Sequence, residues 1–268
     1  MARVAFIGAG KLATAIVRGV IARKLYAPAD LACCGKSGDS AARLAAATGI
    51  AHETDLARLL GPADLVIVAF KPQSLASADP RLGELTAGKL VVSLLAGRRL
   101  ERLTQAFPHA RNLVRVMTNT PAAIGAAMTS FTALRPLSPA DRTTLHGLLE
   151  ALGRHVEVEE RHLDALTALG GSGPAFLFEF VAALRDAGTA EGLAPEVAAT
   201  VARQTVLGAA QLVAGSELTP EALRDQVTSP NGTTFAGLRV LSESGFRDMI
   251  ARTIHAATKR ADELARDA

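Results

Sequence analysis

The chain opens with Val4-Ala5-Phe6-Ile7, passes at once into Gly8-Ala9-Gly10-Lys11-Leu12-Ala13, and continues as a helical repeat through Ile16, Val17, Val20 and Ile21. An apolar strand, a glycine turn and an amphipathic helix in that order leave few folds open. Gly8 permits a tight turn, Gly10 removes a side chain that would obstruct a pyrophosphate, and Ala13 takes a packing position suited to a small residue. The pattern predicts a βαβ unit that holds a dinucleotide at the helix N-terminus, against Ile7, Gly8, Ala9, Gly10, Lys11 and Leu12.

Three further segments, Leu65-Val66-Ile67-Val68-Ala69, Leu90-Val91-Val92-Ser93-Leu94 and Asn112-Leu113-Val114-Arg115-Val116, are nearly continuous apolar runs. Such strands with helices between them predict a parallel sheet covered on both faces, a Rossmann-type doubly wound α/β domain. Ligands of these sheets sit at the carboxyl ends of the strands. That places Ala69, Phe70, Lys71 and Pro72, then Ala96 and Gly97, then Asn119 toward a cofactor. Small residues at Ala96 and Gly97 let a nicotinamide ring lie against the backbone, and Asn119 can hydrogen-bond its carboxamide. Turn chemistry alone accounts for the same residues.

Cofactor type is decided after the second strand, which ends in Cys33-Cys34-Gly35-Lys36-Ser37. An NAD-binding chain carries a carboxylate there for the ribose diol; here Gly35, Lys36 and Ser37 offer a cation and a hydroxyl to a 2′-phosphate. NADPH is the expected cofactor, with NADH possible, unless Lys36 is simply an exposed loop residue.

A length of 268 residues suits two domains, divided near residue 160 where strand alternation ends: 1–160 for dinucleotide binding and 161–268 for an all-α domain. The 29 Lys and Arg against 26 Asp and Glu are scattered, which gives no footprint for nucleic acid. The two cysteines, Cys33 and Cys34, point to opposite faces of one strand, so neither a disulfide framework nor a metal set is available and a reducing, cytoplasmic setting is expected. The direct start into a strand at Val4 leads to the expectation of no cleavable leader, and Ser172, Pro174 and Glu179 interrupt the apolar run between Leu166 and Leu184, which argues against a membrane helix.

That run is nevertheless apolar on nearly all faces, and the segment from Val197 to Val213 is rich in Ala and Gly for close packing. A second subunit, or burial within one helical bundle, must cover it. Near the end of the chain, Ser229-Pro230-Asn231-Gly232-Thr233-Thr234 turns sharply into a helix. The turn aims backbone N–H groups and threonine hydroxyls at one point, which makes either an ordinary helix cap or a cradle for a carboxylate.

With these segments placed, the chain resembles the pyrroline-5-carboxylate reductase family nearly end to end. The likeness rests on Gly8-Ala9-Gly10-Lys11-Leu12, Val68-Ala69-Phe70-Lys71-Pro72-Gln73, Asn119-Thr120-Pro121-Ala122, Gly171-Ser172-Gly173-Pro174-Ala175-Phe176, Asp186-Ala187-Gly188, Gln204-Thr205 with Gly208-Ala209-Ala210, and the Ser229 loop. The resemblance implies reduction of a cyclic imine carboxylate to proline, the last step of proline biosynthesis, by an enzyme whose helical domain dimerises and often builds a decamer. It implies that Ser229 and the amides of Gly232, Thr233 and Thr234 hold the substrate carboxylate. Thr234 would then act catalytically beside the imine nitrogen, and Gln226 would approach the nicotinamide end of the cofactor. Asn231, Thr118, Phe176 and Ala182 stand where the family commonly has Gly, Pro, Tyr and Glu.

A protonated imine is already electrophilic, so hydride transfer needs positioning more than a general acid. A hydroxyacid dehydrogenase, by contrast, needs a proton donor such as a helix lysine, and beyond residue 160 the only lysine is Lys259. A reductase for another cyclic imine acid, and a regulatory protein that binds NADPH without turnover, are the other readings.

Overall fold

The computed structural model describes residues 3–35 and 39–266. Within the chain they form two compact units, residues 1–172 with 256–268, and residues 173–255.

The first unit is built on an eight-stranded sheet. Its strands are β1 (Val4–Ile7), β2 (Leu31–Cys34), β3 (Ala51–His52), β4 (Leu65–Val68), β5 (Leu90–Ser93), β6 (Asn112–Met117), β7 (Ala127–Ala133) and β8 (Gly153–Glu157). They lie in the order β3-β2-β1-β4-β5-β6-β7-β8, so the chain reverses its direction of travel across the sheet between β1 and β4. The helices of this unit are α1 (Lys11–Ala22), α2 (Ser40–Thr48), α3 (Leu56–Leu60), α4 (Leu82–Leu85), α5 (Leu100–Ala106), α6 (Pro139–Glu150) and α7 (Leu163–Leu166).

Strand alternation divides the core in two. Val4, Phe6, Cys33, Ile67 and Val92 pack with α1, α2 and α6 on one face. Ala5, Ile7, Cys34, Val66 and Val91 pack with α3, α4 and α5 on the other. Ile16, Val17 and Val20 of α1 are fully buried, each worth roughly 1.5–3 kcal/mol of transfer free energy. Cys33 and Cys34 fall on opposite faces, as period-two geometry requires.

The sheet departs from the parallel arrangement expected from sequence at one end. β6 and β7 pair antiparallel, and β8 pairs parallel to β7. β7 lacks an apolar signature because Thr129, Ser130 and Thr132 are buried in it, and Thr129 is satisfied by a 2.8 Å hydrogen bond with the Thr118 hydroxyl. That pair also accounts for Thr118 at a position where proline would have no hydroxyl to offer.

The second unit carries α8 (Gly173–Ala190), α9 (Pro195–Gly215), α10 (Pro220–Gln226), α11 (Thr233–Glu243) and the first part of α12 (Phe246–Arg266), whose last residues group with the first unit. Contacts within the chain therefore break at residue 172, where the sequence suggested 160. The reason is that 160–172 pack on the sheet: Arg115 of β6 is paired with Glu160 and Asp164. Ser172, Pro174 and Glu179, which break the apolar run in composition, lie within a continuous helical stretch. A π-turn at Thr167–Gly171 joins α7 to α8, and Glu160–Ala190 and Pro195–Gly215 are both long and apolar enough to cross a membrane by length and composition. Within one chain α8 has no buried residue, and Phe178 and Leu212 are 65% and 67% exposed.

Candidate active site

At the reversal between β1 and β4, Gly8 adopts φ +111° and its amide donates to the Cys34 carbonyl at 3.0 Å. A Cβ on Gly8 would stand 2.6 Å from the Ala69 carbonyl carbon, so the turn after β1 lies directly against the chain leaving β4. Gly10 is different. It caps α1 in extended conformation, and a Cβ there would meet nothing within 4 Å. The first backward bond of α1 runs from the Thr14 amide to the Gly10 carbonyl at 2.9 Å, leaving the amides of residues 11–13 pointing out of the helix end without an intrahelical acceptor. Such an end attracts phosphate.

Beside it opens a cleft of about 620 Å³ between α1 and α2. Gly10, Lys11, Thr14 and Arg18 line one wall, and Ser40 and Arg43 the other. Among the described residues three cations and no carboxylate line this space, which fits a dinucleotide carrying an extra phosphate. The Arg43–Asp39 pair at 3.5 Å is exposed at both ends and holds Arg43 only weakly. Arg18, Ser40 and Arg43 were not singled out from the sequence. The signal was there in part: Lys11 and Arg18 are two turns apart on one helix, and Arg43 lies in the opening turns of α2. Gly35 is exposed next to α2, while Lys36 and Ser37 lie outside the described residues.

The remaining candidate residues follow the carboxyl ends of β4, β5 and β6. Ala69 and Phe70 are half-buried at the exit of β4, and the exposed Lys71 caps the short helix Pro72–Ser74. After β5, Ala96 is exposed and Gly97 adopts φ +73°. Asn119 is engaged within the protein: its Nδ2 donates to the Gly170 carbonyl at 2.9 Å and its Oδ1 accepts from the Met128 amide at 3.3 Å. Burial pushes the Cys33 thiol up to about 11 and raises that of Cys34, so neither is a thiolate nucleophile. Among the described residues no three His, Cys, Asp or Glu side chains gather as metal ligands.

In the second unit, Gln226 ends α10 and the Ser229 loop leads into α11. Asn231 takes φ +61°, the left-handed conformation that asparagine tolerates and that its family glycine would adopt freely. The Gly232 amide donates to the Ser229 carbonyl at 3.1 Å, closing the turn. It is thus committed to the loop, in contrast to its expected place among carboxylate-binding amides. A Cβ on Gly232 would collide with the Ser229 hydroxyl, so this glycine makes room for Ser229. The Ala236 amide makes the first backward bond of α11, to the Gly232 carbonyl at 3.1 Å, and the exposed Thr233 and Thr234 precede it at the open helix end. Nothing in the structure explains Ala182.

Comparison with known proteins covers both halves of the chain. Residues 160–264 match the family model described as pyrroline-5-carboxylate reductase dimerisation, and residues 3–97 match one described as NADP oxidoreductase, coenzyme F420-dependent. The pyrroline-5-carboxylate reductase of Synechocystis sp. is 38% identical over 262 residues, 96% of each chain. The solved pyrroline-5-carboxylate reductase of Coxiella burnetii superposes with a TM-score of 0.92 at 31% identity, covering 98% of each chain. That of Plasmodium falciparum, solved with NADP bound, shares the fold at a TM-score of 0.86 and 24% identity over 98% of each chain. Identity above 30% along nearly the whole of both chains places this chain in the pyrroline-5-carboxylate reductase family.

Proposed function

We propose that this protein reduces 1-pyrroline-5-carboxylate to L-proline with NADPH, as the last step of proline biosynthesis in the cytoplasm. The observation that carries the reading is the presence in one family member of two features: a glycine turn opening on a cation-lined cleft, and a serine–threonine loop at an open helix end.

The cleft residues Gly10, Lys11 and Arg43 would hold the phosphates, and Ala69, Phe70, Lys71, Pro72, Ala96 and Gly97 would line the path of the rest of the cofactor. Bound there, a nicotinamide supplies a hydride to the imine carbon. The protein's part is to bind and orient. Ser229 and the amides of Thr233 and Thr234 would hold the substrate carboxylate at the positive end of α11. The Thr234 hydroxyl would donate to the ring nitrogen or orient it, and Gln226 would face the nicotinamide end. The protonated imine carries the positive charge, so a hydride added to its carbon would send the carbon–nitrogen π pair to nitrogen and leave a neutral amine, without a histidine or lysine acid. The functional unit is a dimer in which the second copy covers α8 and α9, in keeping with the matched dimerisation model and with the exposed Phe178 and Leu212.

Following NADPH and NADH consumption with pyrroline-5-carboxylate and with a six-membered cyclic imine acid tests this reading. Proline-forming turnover with NADPH is expected. Thr234→Ala should lower turnover far more than NADPH affinity, and Ser229→Ala should raise the substrate KM about tenfold. Binding of NADPH without turnover on either imine would sink the enzyme assignment.

A further inference from the structure

The turn after β5 is gripped from two sides by consecutive arginines. Arg98 Nε donates to the Pro72 carbonyl at 3.0 Å, which ties this turn to the segment leaving β4. Arg99 reaches the opposite way: its guanidinium lies 2.7 Å from Asp262 Oδ1 of α12 and 3.5 Å from Asp164 Oδ2 of α7. Asp164 also takes Arg115 at 3.4 Å, and Arg115, only 6% exposed, pairs with Glu160 at 3.0 Å. The Glu160 carboxylate in turn accepts the Leu100 amide at 2.7 Å, at the start of α5, where Arg99 provides no side-chain cap.

Gly97 sits inside this frame. Its left-handed backbone faces α12, with the Leu264 carbonyl oxygen 3.4 Å from where a Cβ would stand. The Arg99–Asp262 link joins residues 163 apart in sequence, yet both side chains remain substantially exposed to solvent, at 40% and 32%. An ion pair this exposed adds little to global stability. Its geometric effect is local: it fixes where the turn lies between the β4 exit and α12.

We propose that Arg98 and Arg99 form a two-sided clamp that sets the position of the Ala96–Gly97 turn for the nicotinamide end of the cofactor, with Asp262 as its anchor. The inference rests on the function proposed above, in which that turn faces the cofactor. Neither arginine touches the reacting atoms; both are positioning residues. Releasing Asp262 lets the turn shift, and cofactor binding and hydride geometry weaken while the substrate loop keeps its own contacts.

The test compares wild type with Asp262→Ala, Arg99→Ala, Arg99→Lys and the double variant Arg99→Ala/Asp262→Ala. NADPH Kd is measured by calorimetry, with KM for each substrate and kcat from steady-state kinetics, and Tm as a check on folding. Asp262→Ala and Arg99→Ala should each raise NADPH Kd and KM about three- to tenfold, with the KM for the imine near wild type. The double variant should be no worse than the weaker single, and Arg99→Lys should recover part of the loss. Should Arg99→Ala fail to fold, Asp262→Ala and Arg99→Lys carry the comparison. An NADPH Kd within twofold of wild type in Asp262→Ala, or effects that multiply in the double variant, would overturn the clamp. A wild-type protein that binds NADPH but does not reduce the imine tells against the proposed function alone, because the Kd comparison still decides the clamp. A wild type that does not bind NADPH overturns both.

Discussion

Asn119 donates from Nδ2 to the carbonyl of Gly170 at 2.9 Å, across 51 residues of sequence. Gly170 belongs to the π-turn Thr167–Gly171, where the Ser172 amide reaches back to Thr167 instead of Ala168. A change to i→i−5 pairing interrupts the regular ladder, and π-turns recur at functional sites. Asn119 supplies an outside donor to this turn and accepts the Met128 amide with its other atom, so it ties the π-turn and the start of β7 to the chain leaving β6.

Replacing Asn119 by alanine leaves a carbonyl and an amide without their partner, so the variant should lose about 1–3 kcal/mol in urea unfolding. Asn119→Asp removes the donor and sets a carboxylate against the Gly170 carbonyl; it should be at least as destabilising. Unfolding midpoints equal to wild type for both would show that water replaces this bond at no cost.

The two glycines of the first turn should separate cleanly by phenotype. At Gly8 an alanine would need φ +111° and would press on the Ala69 backbone, so Gly8→Ala should cost at least about 2 kcal/mol and reduce soluble yield. At Gly10 the backbone suits any residue and the space is open, so Gly10→Ala should stay within about 1 kcal/mol of wild type. Its expected defect is in NADPH affinity, by about tenfold or more, since the methyl enters the phosphate path. Gly10→Ala with unchanged NADPH affinity would remove the pyrophosphate from this helix end.

Much of this was legible in the sequence, for reasons that particular residues make plain. β1, α1, β4 and β5 carry their burial in composition, and Asn231 announced a left-handed turn because few other residues accept one. β7 was invisible because its buried Thr129 and Ser130 look like surface until Thr118 is brought beside them. The roles of Asn119 and Gly232 were equally hidden, since each depends on a partner that only the folded chain places. Arg99 and Asp262 were likewise indistinguishable from surface charges, because a charge pattern does not encode contacts 163 residues apart.

Stability should fall in mild acid. His155 meets His146 edge to face with ring centroids 4.6 Å apart and lies tilted against Phe131 at 6.0 Å. Burial, then the neighbouring His146, lowers its pKa below the ordinary 6.5, against the opposing pull of Glu150. The folded state therefore prefers neutral His155. Its contribution is complete above pH about 6.5 and is lost as pH falls from there through the lower folded value, because the unfolded chain binds the proton more tightly. Tm measured from pH 8 to pH 5 should decline below about pH 6.5 in wild type and less steeply in His155→Gln. Parallel curves for the two proteins would assign the acid sensitivity elsewhere.

The exposed helices of the second unit give the last prediction. Phe178 and Leu212 are 65% and 67% exposed in one chain, and Val201 and Leu207 are 53% and 51% exposed nearby in sequence on α9. An apolar surface of this extent is covered in a stable protein. The matched dimerisation model spans the same helices, so the cover expected is a second copy. Phe178→Asp with Leu212→Asp places charges where a partner's apolar side chains would lie, and a buried unpaired charge is far costlier than a lost methyl contact. Light scattering after gel filtration should give a dimer or larger for wild type and a species near 27.8 kDa for the double variant. Unfolding of wild type should also depend on protein concentration, and that dependence should vanish in the variant. If the double variant kept the wild-type mass, α8 and α9 would not form the subunit contact, and their apolar faces would need another partner.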